Sequence, residues 1–260
     1  MAGGATPLVG SVGRHVPPIS LFRLMLITLP WFGVQVSWSV EFVTQTPYML
    51  SLGLSNVLAN LTWVAGPITG LLVQPVVGTF SDRCRHRLGR RRPYIIGGLI
   101  STVVAQQLYA WSLPLGHAIG DSGCHRPIAL TLAILAFWLM DMSINVIQTP
   151  IRAIVADVAH VEQQELGQSL ASLWSAVGAI FGFLLGVVFD PVRDVKILFL
   201  VSSSILLISC IIAVTVAREV PLDVLEEADA EEAKAKGGAG QDVTVPPRTT
   251  ARPPMRENES

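Results

Sequence analysis

The segment FWLMDMSINVIQTPIRAIVADV, residues 137–158, places Asp141, Asn145, Gln148 and Arg152 at offsets of four, seven and eleven from the aspartate. At 3.6 residues per turn, those offsets fall on one stripe of an α-helix. A carboxylate at one end, a guanidinium at the other and amides between them can hydrogen-bond a polyhydroxylated solute. The aspartate and arginine can also pair when no solute is present. An earlier segment, WFGVQVSWSVEFVTQTPYML, holds Glu41 with Gln45 four residues on, on the same helical face.

These groups sit in an apolar chain of 260 residues, 51% hydrophobic and only 14% charged. Six stretches are each long enough to cross a bilayer core of about 30 Å. They lie near Leu21 to Thr44, Val57 to Phe80, Tyr94 to Leu113, Ile128 to Ile147, Ser169 to Phe189 and Ile197 to Ala217. Backbone groups in lipid must bond within their own segment, so the predicted fold is all-α and polytopic. Ionisable groups in such spans are costly, and each needs a cavity or a partner. Two blander readings stay open: Glu41 solvated near the outer interface, and the 141–152 stripe as a structural network between helices. Pro150 removes a backbone N–H within the stripe's helix, and a local kink facing a cavity is expected there.

The basic stretch SDRCRHRLGRRRPYI, residues 81–95, lies between two apolar runs in a chain of net charge -1. That setting excludes a nucleic-acid partner and makes the stretch a short loop between spans. With the N-terminus inside, the inner side collects Arg14, Arg23, this loop and Arg218, whereas the outer side receives Arg126, Arg193 and Lys196. Both termini are then cytoplasmic. Residues 1–20 read as a cytoplasmic N-terminal segment, 21–217 as the membrane domain, and 218–260 as a disordered cytoplasmic tail.

Gly178, Gly182 and Gly186 form a GxxxGxxxG ridge suited to close helix packing. The tryptophans Trp31, Trp38, Trp63, Trp111, Trp138 and Trp174 read as interface anchors or packing residues. Catalytic signatures of the HExxH, GxSxG and GxxxxGK types are absent, and the cysteines Cys84, Cys124 and Cys210 lack metal-ligand spacing. The chain therefore reads as a membrane protein rather than an enzyme, with neither metal nor cofactor.

Gly78, Asp82 and Arg83 in VVGTFSDR, followed by Gly89, Arg90 and Arg91 in RLGRRRPYI, resemble the loop between helices two and three of the major facilitator superfamily. The longer strings SVEFVTQTPYMLSLGL, QPVVGTFSDRCRHRLGRRRPYIIGG and the 137–158 segment resemble the sucrose/proton symporter group, of the glycoside-pentoside-hexuronide cation symporter type. That group holds plant sucrose transporters, fungal α-glucoside transporters and animal sucrose-transporter-like carriers. The resemblance covers about residues 21–217 and implies two six-helix halves, each of 3+3 inverted repeats, around a central site. It implies proton-coupled symport of sucrose or a related glucoside by alternating access, with protons as the coupling ion.

Carried over to this chain, Asp141 takes part in proton coupling and sugar binding, Arg152 in substrate interaction and charge balance, and Glu41 in a less defined acidic role. Asn145, Gln148 and Gln45 join them as binding candidates. Gly78, Asp82, Arg83, Gly89, Arg90 and Arg91 match the cytoplasmic gate motif, with Asp157 as partner of its arginines. The expected partners are a small-molecule sugar, the lipid bilayer, and a second six-helix half or a second copy of the chain, the latter docking through the glycine ridge or the cut face. On this reading the chain is the N-terminal half of such a carrier, truncated or a true half-transporter. The alternative is a non-transporting membrane interaction protein that keeps the fold. The choice between plasma membrane and a vacuolar or endosomal membrane is left open by these residues.

Overall fold

The structure is a computed structural model that describes residues 18–86, 88–123 and 126–217. The expected tail, and all of the N-terminal segment before residue 18, lie outside the described residues. Nine α-helices are described: α1 Leu21–Thr28, α2 Pro30–Ser51, α3 Asn56–Leu61, α4 Ala65–Asp82, α5 Arg92–Ala110, α6 Ser112–Ile119, α7 Pro127–Val158, α8 Val161–Val188 and α9 Val195–Val216. A 3-10 turn, Thr62–Val64, joins α3 to α4. Among the described residues there is no β-strand.

Local chemistry sets the helix ends. Ser20 starts α1 by accepting the Arg23 N–H at 3.3 Å, and Ser55 starts α3 by accepting the Leu58 N–H at 3.4 Å. Pro30 begins α2, where its missing N–H costs nothing. The cap position of α7, Arg126, offers its helix no side-chain hydrogen bond. Asp121 does so instead, accepting the N–H groups of Ile128 at 3.1 Å and Ala129 at 2.7 Å, with its negative charge at the positive end of the helix dipole.

Among the described residues, five segments are long and apolar enough to cross a membrane: Leu21–Ser51, Asn56–Asp82, Pro127–Val158, Val161–Val188 and Val195–Val216. The chain is thus a multi-pass membrane protein. The remaining expected span, Tyr94 to Leu113, is a helix (α5), but polar side chains keep it below the apolarity of the others. Those side chains face protein: Thr102 hydrogen-bonds Ser143 Oγ at 2.9 Å, and Gln107 donates to Ser203 Oγ at 3.0 Å.

Three boundaries also need correction. The first span, expected to end at Thr44, runs on as α2 to Ser51. α7 runs on from Ile147 to Val158, because its bonding survives one missing donor at Pro150, which is buried among neighbouring helices. α8 starts at Val161 rather than Ser169, since its first two turns are polar and carry no apolar signal.

Contacts gather the helix ends at two poles. At one, Arg23 Nη2 donates to the Val216 carbonyl at 3.2 Å, Arg92 Nη2 donates to the Ala217 carbonyl, and Gln163 Nε2 donates to the Ile19 carbonyl at 2.8 Å. At the other, Lys196 lies 4.3 Å from the Trp111 ring centroid and Arg126 Nη1 donates to the Ser51 carbonyl at 3.4 Å. α7 occupies the middle of the bundle, between α4 and α5, and α2 packs between α8 and α9.

The glycine ridge is the reason α8 can approach α2. A Cβ at Gly178 would stand 2.6 Å from the Phe32 carbonyl oxygen, one at Gly182 2.5 Å from Ser39 Cβ, and one at Gly186 2.6 Å from Val43 Cγ1. The ridge is therefore consumed inside the chain, which corrects its assignment as a surface for a second copy. Gly182→Ala is expected to destabilise the fold by about 1–3 kcal/mol through overpacking. Thermal unfolding in detergent checks this against Gly97→Ala, whose Cβ would meet nothing within 4 Å and should leave the midpoint in place.

Candidate functional site

A cavity of about 370 Å³ lies between α2, α4 and α7. α2 contributes Trp38, Glu41 and Phe42, three and four residues apart and hence on one face. The 3-10 turn adds Trp63. α4 adds Gly66, Gly70 and Gln74 at four-residue steps, and α7 adds Asp141 and Asn145 one turn apart. The two glycines keep the space open: a Cβ would point at both Asp141 carboxylate oxygens from Gly66, 3.9 Å away, and at Asn145 Oδ1 from Gly70, 3.7 Å away.

Glu41 and Asp141 are buried, with 4% and 5% of their surface exposed. Among the described residues neither carboxylate has an ion pair or a hydrogen bond. Asn145 is committed differently. Its Oδ1 accepts from Gln74 Nε2 at 2.7 Å, and its Nδ2 donates to the Asp141 carbonyl at 2.8 Å and to Thr69 Oγ1 at 3.3 Å. It therefore ties α7 to α4 as well as lining the cavity.

One wall is aromatic. Trp38 meets Phe42 edge-on at 5.8 Å, and Phe42 stacks on Trp63 at 5.1 Å. The expectation that the tryptophans serve as anchors or packing residues misses this. Trp38 and Trp63 are walls of the cavity, and the signal available was the i, i+3, i+4 spacing of Trp38, Glu41 and Phe42.

The remaining candidates divide. Arg152 is exposed and lies 5.5 Å from the Trp31 ring centroid, in a separate cavity of about 230 Å³ with Gln168, Ser172 and Ser175. Eleven residues of helix put it about 16 Å along the axis from Asp141. The pairing expected between them is absent, because residues on one stripe but three turns apart are too far along the axis to touch. Gln148 is buried and lines neither cavity. Gln45 turns to α3 and the 3-10 turn, donating to the Ala59 carbonyl at 3.0 Å and to Thr62 Oγ1.

The gate-motif residues converge at the arginine-rich pole. Arg90 grips Asp157 with two bonds, Nη2 to Oδ1 at 2.5 Å and Nε to Oδ2 at 3.2 Å. Arg91 Nε reaches Asp157 Oδ2 at 3.0 Å, while its Nη1 reaches Asp82 Oδ1 at 2.5 Å and Ser81 Oγ at 2.7 Å. Arg90, Arg91 and Asp157 are buried, whereas the Asp82 side chain is half exposed. Gly89 makes the turn with φ +105°, a backbone that L side chains rarely adopt. Gly78 faces Thr149 of α7, and Arg83 caps α4 from an exposed position.

Helices long and apolar enough to span a membrane, a largely apolar cavity between them that holds two carboxylates, and a charge clasp at one pole define a polytopic membrane protein. The sequence matches the Major Facilitator Superfamily over residues 14–254, and the chain belongs to that superfamily. It is 34% identical over 247 residues to the sucrose transport protein SUT3 of Oryza sativa subsp. indica, covering 86% of this chain and 49% of that protein. It is 40% identical over 176 residues to the sucrose transport protein SUT1 of Oryza sativa subsp. japonica (65% and 33%) and 38% identical over 174 residues to the sucrose transport protein SUC3 of Arabidopsis thaliana (64% and 29%). The chain spans about half or less of the length of these relatives.

Removing one partner of a buried, multiply bonded ion cluster leaves uncompensated charge. Asp157→Asn is expected to cost about 3–5 kcal/mol, since it takes the charged partner from the buried Arg90 and one of the two carboxylates from Arg91. Asp82→Asn, at a half-exposed and solvent-screened pair, should cost about 1 kcal/mol or less. Thermal or denaturant unfolding of the two variants side by side reads the difference.

Proposed function

We propose that this chain forms one six-helix half of a proton-coupled sugar carrier that works by alternating access. The observation that carries the reading is the cavity between α2, α4 and α7, with two unpartnered carboxylates beside an aromatic wall. Its volume of about 370 Å³ suits a small solute, near the lower end of the range of about 300–1,000 Å³ typical of ligand sites. Carboxylates accept hydrogen bonds from sugar hydroxyls, and aromatic faces cover the apolar C–H face of a sugar ring. Similarity to sucrose transport proteins supports a sugar as the solute.

α5 serves as the sixth crossing. Its N-terminus lies at the arginine-rich pole, its C-terminal end lies at the Lys196–Trp111 pole, and 19 residues span about 28 Å. A second six-helix half, or a second copy of the chain, completes the cavity, which α2, α4 and α7 wall on one side.

Two carboxylates facing one cavity repel each other when both are charged, so a proton held at Asp141 or Glu41 relieves that repulsion. Proton and sugar then raise each other's affinity by the same factor. The Asp157 clasp ties α7 to the segment entering α5, and Arg91 links both to the end of α4. It acts as an inner latch that breaks when the cavity opens to the cytoplasm. Arg152, held over Trp31, is free to swing toward the solute during that change.

In vesicles from cells expressing the chain, an inward proton gradient is expected to drive accumulation of labelled sucrose, and Asp141→Asn to abolish the accumulation. Uptake that stays concentrative and pH-dependent in this variant removes Asp141 from coupling. For orientation, Cys84 follows α4 at the arginine-rich pole and is partly exposed, whereas Cys210 is buried. A membrane-impermeant maleimide should modify Cys84 in inside-out vesicles and spare it in right-side-out ones; the reverse pattern inverts the topology.

A further inference from the structure

A groove of about 280 Å³ runs between α5 and α7. α5 lines it with Pro93, Tyr94, Gly97 and Ser101, and α7 with Leu139, Met142 and Val146. The α7 residues fall on a different face of that helix from Asp141 and Asn145. Gly97, Ser101, Leu139 and Met142 are exposed, so the groove opens at the outer surface of the bundle. Two adjacent glycines shape it. A Cβ at Gly98 would stand 2.8 Å from Ile147 Cγ1, so this residue lets α5 and α7 touch, whereas one at Gly97 would meet nothing within 4 Å and leaves the hollow beside the contact.

The groove has the depth of one lipid leaflet. From Pro93 to Ser101 it follows α5 for about 12 Å, against about 15 Å for half of a hydrocarbon core of about 30 Å. Its Pro93 end lies at the arginine-rich pole. There the clasp draws Arg90 and Arg91 inward onto Asp157, and Asp82 is engaged by Arg91, whereas Arg83 and Arg85 are exposed. Cys84, between those two arginines, is within electrostatic reach of Tyr94, which brings the loop to the mouth of the groove. An apolar slot of leaflet depth with guanidinium groups at its polar end complements an acyl chain joined to an anionic headgroup.

We propose that this groove seats an anionic phospholipid, with one acyl chain along Gly97 and Ser101 and the phosphate held by Arg83 and Arg85. The headgroup then holds the loop that supplies the arginines of the clasp, and the chain lies against α7, which supplies Asp157. Bound lipid braces the clasp from both sides. The proposal is independent of what the cavity between α2, α4 and α7 takes.

The test follows thermal unfolding of the full chain in detergent. Dioleoyl phosphatidylserine at about a hundred times its Kd is expected to raise the midpoint by about 5 °C. Dioleoyl phosphatidylcholine at the same concentration should leave it nearly in place, as should glycerophosphoserine, which has the headgroup and no chains. Arg83→Gln combined with Arg85→Gln should remove the phosphatidylserine shift, and so should Gly97→Phe, which fills the groove from its open side. Equal shifts by the two lipids overturn the proposal, as does a shift by glycerophosphoserine equal to that of the lipid. A phosphatidylserine shift that survives in either variant overturns it too. A dimer of the chain, seen by native mass spectrometry and dissociated by Gly97→Phe, with no preference between the lipids, makes the groove a helix interface and overturns it as well. Where a variant fails to fold, the three additives compared on the unaltered chain still decide.

Discussion

A charged side chain in a membrane-crossing helix must face protein or water, since lipid offers it neither a partner nor a hydration shell. α7 carries that constraint for the whole molecule. Asp141 and Asn145 turn toward α4 and α2, Asp157 turns to the arginines at its far end, and Ser143 turns to Thr102 of α5. The helix is packed by α4 and α5, and its 32 residues form the axis against which they are placed. Leu135, Leu139 and Met142 form the apolar face it leaves exposed. Exposed apolar side chains are most frequent on α4 and α8, where Leu71, Leu72, Phe80, Phe183, Val187 and Val188 lie at the surface.

The same helix joins two chemical regions that differ in how their charge is balanced. At its end, Asp157 is fully bonded by two guanidinium groups, and the cluster acts as a structural clasp. At its middle, Asp141 is buried without a partner among the described residues. A buried carboxylate with every lone pair satisfied stabilises an arrangement, whereas one left unsatisfied makes sense where a ligand or proton supplies the missing partner. The contrast within one helix separates latch from cavity more sharply than residue type does, since both positions are aspartates.

Much of this was legible from spacing. The helical class, three of the six span positions to within a few residues, and the placement of Asp141 and Asn145 on one face all follow from apolar run length and a 3.6-residue period. The convergence of Arg90 and Arg91 on Asp157 was legible from motif resemblance alone. Other features were not. Gln45 shares a face with Glu41 yet turns aside, because the Ala59 carbonyl and Thr62 hydroxyl of the following segment capture its amide first. Asp121 caps α7 from outside its helix, a contact that depends on how the α6–α7 loop folds back. Trp38 and Trp63 lie 25 residues apart, and only the turn between α3 and α4 brings them to one wall.

Sequence by itself determined which segments are helical, which prefer lipid, and which polar side chains share a helix face, because these depend on short-range periodicity and transfer energy. Tertiary structure decided which of those side chains meet. It set Asp141 and Glu41 on one cavity, turned Arg152 over Trp31, and spent the glycine ridge of α8 on α2. The physical reason is that periodicity specifies a direction around one helix axis. Distance, depth and partnership arise only when the helices pack.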